Sequence, residues 1–160
     1  MHRYHLTRTQ FLPIGINDAW EFFATPKNLR VLTPANMNIR MLSNSGGEKM
    51  TAGQIIKYKV RILPLISVHW ITEITEVQKP FYFIDTQPSG PYSMWHHKHT
   101  FKEVDGGVEM TDEVTYTIPL GILGRLANFI FVNREVNRIF DYRFKVLSNL
   151  FTQKTTTERH

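Results

Sequence analysis

Between residues 37 and 119 apolar and polar positions alternate with a period of two, and after Gly121 the spacing of apolar residues lengthens to three and four. In "QIIKYKVRI", Ile56, Tyr58, Val60 and Ile62 share one face and Lys57, Lys59 and Arg61 the other. A sheet with one wet face and one face that must be covered follows. "SGGE" (Ser45 to Glu48), "QKP" (Gln78 to Pro80) and "DGG" (Asp105 to Gly107) mark turns, which predict strands near 37–44, 53–63, 66–77, 81–88, 93–103 and 108–118. The extended run Arg3 to Pro13 makes a seventh, and the short turns make the set antiparallel.

Two short helices are expected after the first strand. Asn17 reads as the N-cap of "DAWEFFA", with Trp20, Phe22 and Phe23 as core, and Thr25-Pro26 restarts a helix that ends near Thr33-Pro34. At the other end, Leu126, Phe129, Ile130, Val136, Phe140, Phe144, Leu147 and Phe151 form one stripe, with Arg125, Arg134, Arg138 and Lys145 mostly off it. The pattern predicts an α+β fold in which a curved seven-stranded antiparallel sheet wraps around a long C-terminal helix. One domain over residues 1–153 is expected, with 154–160 a frayed tail, and the gap between sheet and helix is the natural cavity.

Composition narrows the function classes. A chain of 160 residues fits one domain with a real core. Its lack of cysteine excludes disulfides, zinc–thiolate sites, iron–sulfur clusters and thiol nucleophiles. "MHRYHLTRTQF" has no apolar run behind its basic residues, so a cytoplasmic location is expected. The most apolar stretch, "IPLGILGRLANFIFV" (Ile118 to Val132), is too short for a bilayer and holds Arg125 and Asn128, so no membrane span is expected. The net charge of +5 is scattered and has no basic-aromatic recognition motif beside it, so nucleic acid is not an expected partner. Oligomeric state is not encoded in any pattern found.

Four segments carry a family likeness: "AWEFFATPKNLRVLTP" (Ala19 to Pro34), "FIDTQPSGPYSMWHHKHTF" (Phe83 to Phe101), "MTDEVTYTIPLGILG" (Met110 to Gly124) and "IFDYR" (Ile139 to Arg143). Through them the chain resembles the START-like, helix-grip SRPBCC superfamily, near its bacterial polyketide cyclase/dehydrase group. The resemblance implies a deep, largely apolar cavity for a small hydrophobic ligand, with no shared catalytic set and no cofactor. That superfamily also holds lipid carriers, cyclases and co-chaperones, so the fold leaves chemistry open. A Rieske-linked oxygenase is excluded, because a short, cysteine-free chain cannot supply the iron–sulfur domain.

The densest chemistry lies in "GPYSMWHHKHTF" (Gly90 to Phe101). On a strand, Trp95, His97, His99 and Phe101 share a face, predicted to look inward, and His96 and Lys98 look out. The turn at Asp105-Gly106 sets His99 against Asp112 and His97 against Val114. The turn at 78–80 sets Glu73 roughly opposite Asp85, and Phe81, Phe83, Asp85 and Gln87 are expected on one inward face. By that parity Trp70 points outward.

The expected ligand-binding set is therefore Tyr58, Glu73, Phe83, Asp85, Gln87 and Trp95, with His97, His99, Phe101, Asp112, Tyr116, Phe140 and Arg143. So many buried polar groups must pair with one another, with water or with a ligand. One reading makes His99–Asp112, and Arg143 with a carboxylate, a core network; another has them orient the polar end of a hydrophobic ligand.

A third reading is chemical, with His99 as general base held by Asp112 in a cyclisation or dehydration. Metal ligation by His97 and His99 would need Asp112 or Asp85 as third ligand, and spacing fixes no third ligand, so no metal is assigned. A protein-interaction module would instead call for an apolar surface patch. "IPLGILG" (Ile118 to Gly124) suits either a lid or a packed connector.

Overall fold

A computed structural model of the chain describes residues 2–157. Seven strands, β1 (Tyr4–Leu12), β2 (Arg40–Asn44), β3 (Ile55–Leu63), β4 (Ile66–Gln78), β5 (Tyr82–Ser89), β6 (Met94–Val104) and β7 (Gly107–Thr117), form one antiparallel sheet. Their order is β1-β7-β6-β5-β4-β3-β2, so every neighbour is a hairpin partner except β1, which closes the sheet on β7. Helix α1 (Ile16–Phe23) and 3-10 turns at Pro26–Arg30 and Ala35–Met37 join β1 to β2. Helix α2 (Gly121–Ala127), a π-helical turn (Asn128–Val132) and helix α3 (Asn133–Thr157) follow β7. The architecture is the α+β helix grip that the pattern predicts. Residues 158–160 of the expected frayed tail lie outside the described residues.

The parity holds on β6 from Trp95 to Phe101 and on β7 from Val108 to Tyr116. Trp95, His97, His99 and Phe101 are buried, as are Val108, Met110, Asp112, Val114 and Tyr116, whereas His96 is exposed. Pairing sets His99 against Asp112 and His97 against Val114, in the expected register.

The β4–β5 register departs by one residue: Glu73 faces Thr86 across the ladder, and Ile74 faces Asp85. Irregularities between Ile71 and Glu73 and between Ile74 and Glu76 displace the pairing. A slip of one residue turns every side chain to the other face. Trp70, Thr72 and Ile74 consequently point inward and Glu73 does not. Phe81 precedes β5 and is exposed rather than inward. A smaller difference lies at α1, where Gly15, not Asn17, takes the N-cap position.

The C-terminal stripe is not continuous. Val136, Phe140, Arg143, Leu147 and Phe151 are buried on α3, but Leu126, Phe129, Ile130 and Phe144 are exposed. The π turn accounts for the N-terminal part of this split. It spreads its five residues over a wider turn than an α-helix, which rotates everything before it by about 100°, the step of one α-helical residue. Gly124 and Asn128 therefore take the inward positions on that segment, and both are buried. A Cβ on Gly124 would stand 2.0 Å from the Pro119 carbonyl oxygen, so only glycine lets α2 pack this closely on the end of β7.

Two kinds of interior result. Leu12, Trp20, Phe23, Phe83, Phe101, Met110, Leu147 and Phe151 interlock β1, α1, β5–β7 and the C-terminal half of α3 into a solid core. Towards β3 and the start of α3, clusters around Trp95, Tyr116 and Phe140 and around Ile56, Tyr58 and Val60 leave a hollow between them.

Candidate functional site

The hollow is a cavity of about 600 Å³, bounded by β3–β6, the 3-10 turns and the first three turns of α3. Its walls are mainly aliphatic and aromatic, including Ile56, Val60, Trp70, Ile74, Trp95 and Phe140. Asp85, His97, His99 and Arg143 gather on one part of the lining, and Tyr58 and Thr72 contribute hydroxyl-bearing side chains. Of the residues expected to bind a ligand, Tyr58, Phe83, Asp85, Trp95, His97, His99, Phe140 and Arg143 do line the cavity.

Five others do not. Glu73 is turned away by the β4–β5 slip. Gln87 is buried, but its Oε1 accepts a hydrogen bond from the Tyr92 amide and its amide packs against Gly90, so it braces the β5–β6 loop. Phe101 belongs to the solid core beside Trp20 and Phe23. Tyr116 donates its hydroxyl to Asn128 Oδ1 at 3.0 Å, a buried bond that ties β7 to the π turn. Asp112 lies behind the histidines, reaching the cavity only through them. Trp70, Thr72 and Ile74 were hidden by the register error, and the apolar bulk of Trp70 was the signal that the assumed parity was wrong.

The polar cluster is built from three adjacent strands and one helix. Parity on β6 places His97 and His99 one above the other, with ring centroids 3.7 Å apart. Register brings Asp112 of β7 to one side and Asp85 of β5 to the other. Asp112 Oδ1 accepts from His97 Nε2 at 2.9 Å and lies 3.0 Å from His99 Nδ1. Asp85 Oδ2 accepts from His99 Nε2 at 2.8 Å and stands 3.6 Å from His97 Nδ1. From α3, Arg143 places Nε 3.2 Å from Asp112 Oδ2, an ion-pair contact. Phe83 stacks on His99 at 4.2 Å and the Phe140 ring stands edge-on to His97 at 5.5 Å, fixing both imidazoles from the apolar side.

Protonation follows from these partners. Burial alone would lower the pKa of His99, but carboxylates at both ring nitrogens outweigh it and raise the value, which favours the imidazolium. For His97, burial and the neighbouring His99 charge prevail and lower the pKa. A carboxylate only accepts, so the proton of neutral His97 sits on Nε2, towards Asp112, and Nδ1 is bare.

Both aspartates are held ionised against burial. In Asp112 the Arg143 guanidinium is the main cause, followed by the histidine hydrogen bonds, and in Asp85 the two histidines and Arg143 are responsible. Burial, with the Asp85 charge beside it, pushes the Tyr58 hydroxyl well above its ordinary value and keeps it a neutral donor. With His99 protonated, two anions meet two cations and the cluster is electrically balanced.

That balance bears on metals and on catalysis. Asp85, His97 and His99 can offer three ligand atoms within 4.8 Å of one another. A divalent ion there would have to displace the His99 proton and its bond to Asp85, so the donor set is satisfied by protons rather than built for a cation. Both nitrogens of His99 are already partnered, Nε2 by Asp85 and Nδ1 by Asp112 Oδ1 at 3.0 Å and Arg143 Nη2 at 3.4 Å. His97 Nδ1 is the free base of the pair. Outside the cavity, a patch of exposed apolar residues covers α2 and the π turn, so a lined cavity and an apolar surface occur together. Among the described residues no helix is long and apolar enough to cross a membrane.

No family model matches the chain, and neither does any curated protein. Solved structures do. Protein Ms6760 from Mycobacterium smegmatis superposes with a TM-score of 0.65 at 19% identity, over 94% of this chain and 92% of that one. Ara h 8.0201 gives 0.62 at 16% identity, over 95% and 99%. The di-domain ARO/CYC StfQ from the steffimycin biosynthetic pathway gives 0.70 at 12% identity, over 96% of this chain and 52% of that one. At these identities the likeness establishes the helix-grip fold alone and leaves the function to the site.

Proposed function

We propose that this protein binds a small, mostly apolar organic molecule between its sheet and α3, with one polar group of the ligand held at the Asp85–His97–His99–Arg143 cluster. The observation that carries this reading is an apolar hollow of about 600 Å³ with one polar cluster, Asp85, His97, His99 and Arg143, on its lining. Such a volume falls within the range of about 300–1,000 Å³ usual for ligand sites, where apolar walls supply affinity and a few polar groups set orientation. His97 Nδ1 can accept, and the Tyr58 hydroxyl can donate, so a hydroxyl or carbonyl group suits the cluster without upsetting its charge balance.

Native mass spectrometry of protein purified from its own host is expected to show a bound organic mass, and anilinonaphthalene sulfonate is expected to enter the emptied cavity. Val60→Phe, which fills the hollow, should abolish both signals. Retention of both by Val60→Phe, or an empty protein that takes up no dye, sinks the proposal.

A second reading, a cofactor-independent cyclase or dehydratase, is favoured by one observation, the bare Nδ1 of neutral His97 at the lining. In that reading His97 takes the substrate proton and Asp112 stabilises the imidazolium that forms, a role transferred from the expected His99. Turnover that survives His97→Gln would exclude it.

A further inference from the structure

Among the described residues, ten of the sixteen exposed large hydrophobic ones fall within two short segments, residues 63–66 and 120–131. The first is the tip of the β3–β4 hairpin, where Leu65 is fully exposed. Leu65 also holds a φ of 65°, a left-handed conformation that favours glycine, so a large apolar side chain is kept at the tip at a conformational cost. The second segment is α2 with the π turn, whose outer face carries Ile122, Leu123, Leu126, Phe129 and Ile130. Both segments edge the same opening, since Leu63, Pro64, Phe131 and Val132 line the cavity. Apolar surface therefore runs from the outside of the protein over the mouth and into the hollow.

Exposed charge in and beside these two segments has one sign. No Asp or Glu occurs between Glu48 and Glu73 or between Glu113 and Glu135, whereas Arg61, Arg125 and Arg134 lie within these stretches and are exposed. The Glu135 carboxylate is taken by Arg138 at 2.8 Å. A second copy docked here about a two-fold axis would bring these arginines together with no carboxylate to meet them.

We propose that this face docks on an anionic lipid bilayer, with Leu65 and the outer face of α2 inserted among the acyl chains and Arg61, Arg125 and Arg134 at the phosphate level. An amphipathic helix with arginines flanking its apolar face is suited to lie in the interface plane, where apolar burial and attraction to anionic headgroups add. The mouth of the cavity is then presented to the membrane. This inference does not depend on what the cavity holds.

Co-sedimentation with vesicles of equal parts phosphatidylcholine and phosphatidylglycerol tests it on the full chain without any cavity ligand. Binding is expected to the mixed vesicles, to weaken in high salt, and to fall about tenfold or more on phosphatidylcholine alone. Ile122→Ser with Phe129→Ser, and separately Leu65→Ser, should each reduce it by about tenfold, because exposed positions can be changed without unfolding the protein. Arg125→Glu with Arg134→Glu should remove the preference for the anionic vesicles, and Leu42→Ser, exposed elsewhere, should change nothing. Absence of binding, or binding indifferent to all these substitutions, overturns the proposal. So does a dimer in sedimentation velocity that the Ile122 and Phe129 substitutions dissociate, which would make the face an interface between copies.

Discussion

The two halves of the interior enclose the same sheet and the same helix yet are filled differently. Around Trp20, Phe83, Phe101, Leu147 and Phe151 aromatic rings meet edge to face in a close-packed cluster, because α1 lies across the sheet and closes that end. At the other end β3 is met by the short 3-10 turns, through Leu29 and Met37, which with α3 leave the concavity unfilled. The Asp85, His97, His99, Asp112 and Arg143 cluster stands between the halves, with Phe83 of the solid side stacked on His99 and Phe140 of the hollow side against His97. The contrast teaches that rigidity and vacancy are separated here by a charge-balanced partition, which can be strong on one side and available on the other.

Three measurements would break or sharpen that contrast. The largest difference is expected from paired truncations. Phe101→Ala empties a close-packed site and should cost about 4 kcal/mol, whereas Val60→Ala removes atoms that already border open space and should cost about 1 kcal/mol. Equal losses in urea unfolding would mean that the hollow is closed in solution. Next, Asp112→Asn keeps the shape but leaves Arg143 and the His99 imidazolium without their shared anion, at an expected cost of about 3 kcal/mol. A cost below about 1 kcal/mol would show that the partition does not hold the halves together.

The smallest effect is the pH dependence. The folded pKa of His99 is raised above 6.5, so its contribution is complete below 6.5 and is lost as pH rises through the folded value. For His97 the folded pKa is depressed below 6.5, so its contribution is complete above 6.5 and is lost as pH falls. Asp85 and Asp112 have values depressed below 3.8, and their contributions persist above 3.8 and disappear in stronger acid. Stability should therefore peak near pH 6.5, with an alkaline decline that His99→Gln abolishes. A profile without that decline, measured by urea unfolding across pH, sinks the assignment of the proton to His99.

Much of this was legible in the chain. The Asp105-Gly106 turn and the parity of "WHHKHTF" place His97, His99 and Asp112 correctly, since a tight turn fixes the register of the strands it joins. The partners of each histidine were harder to read. His97 takes Asp112 as hydrogen-bond partner although Val114 lies opposite it, and His99 reaches Asp85 of the neighbouring strand, because long side chains also meet diagonal neighbours. Glu73 was misplaced because ladder irregularities in β4 leave no mark on a period of two. The stripe through Leu126, Phe129 and Ile130 misled because apolar spacing cannot reveal a π turn. Asn128, the one amide amid that apolar run, was its only trace, and the buried bond to Tyr116 is its reason.

That turn behaves as one extra residue accommodated in an otherwise regular helix. Wound as plain α-helix at the same length, residues 128–132 would carry Phe129 and Leu126 under the sheet in phase with Val136 and Phe140. The rings now facing solvent would then point at the hollow, so vessel and plug differ in the winding of five residues and in no letter of the sequence. Loss of one residue within the turn has the opposite effect, because the wide turn becomes an ordinary α turn while Gly124 and Asn128 keep their inward places. A structure of the chain lacking Phe131 is therefore expected to keep both the cavity and the exposed apolar face.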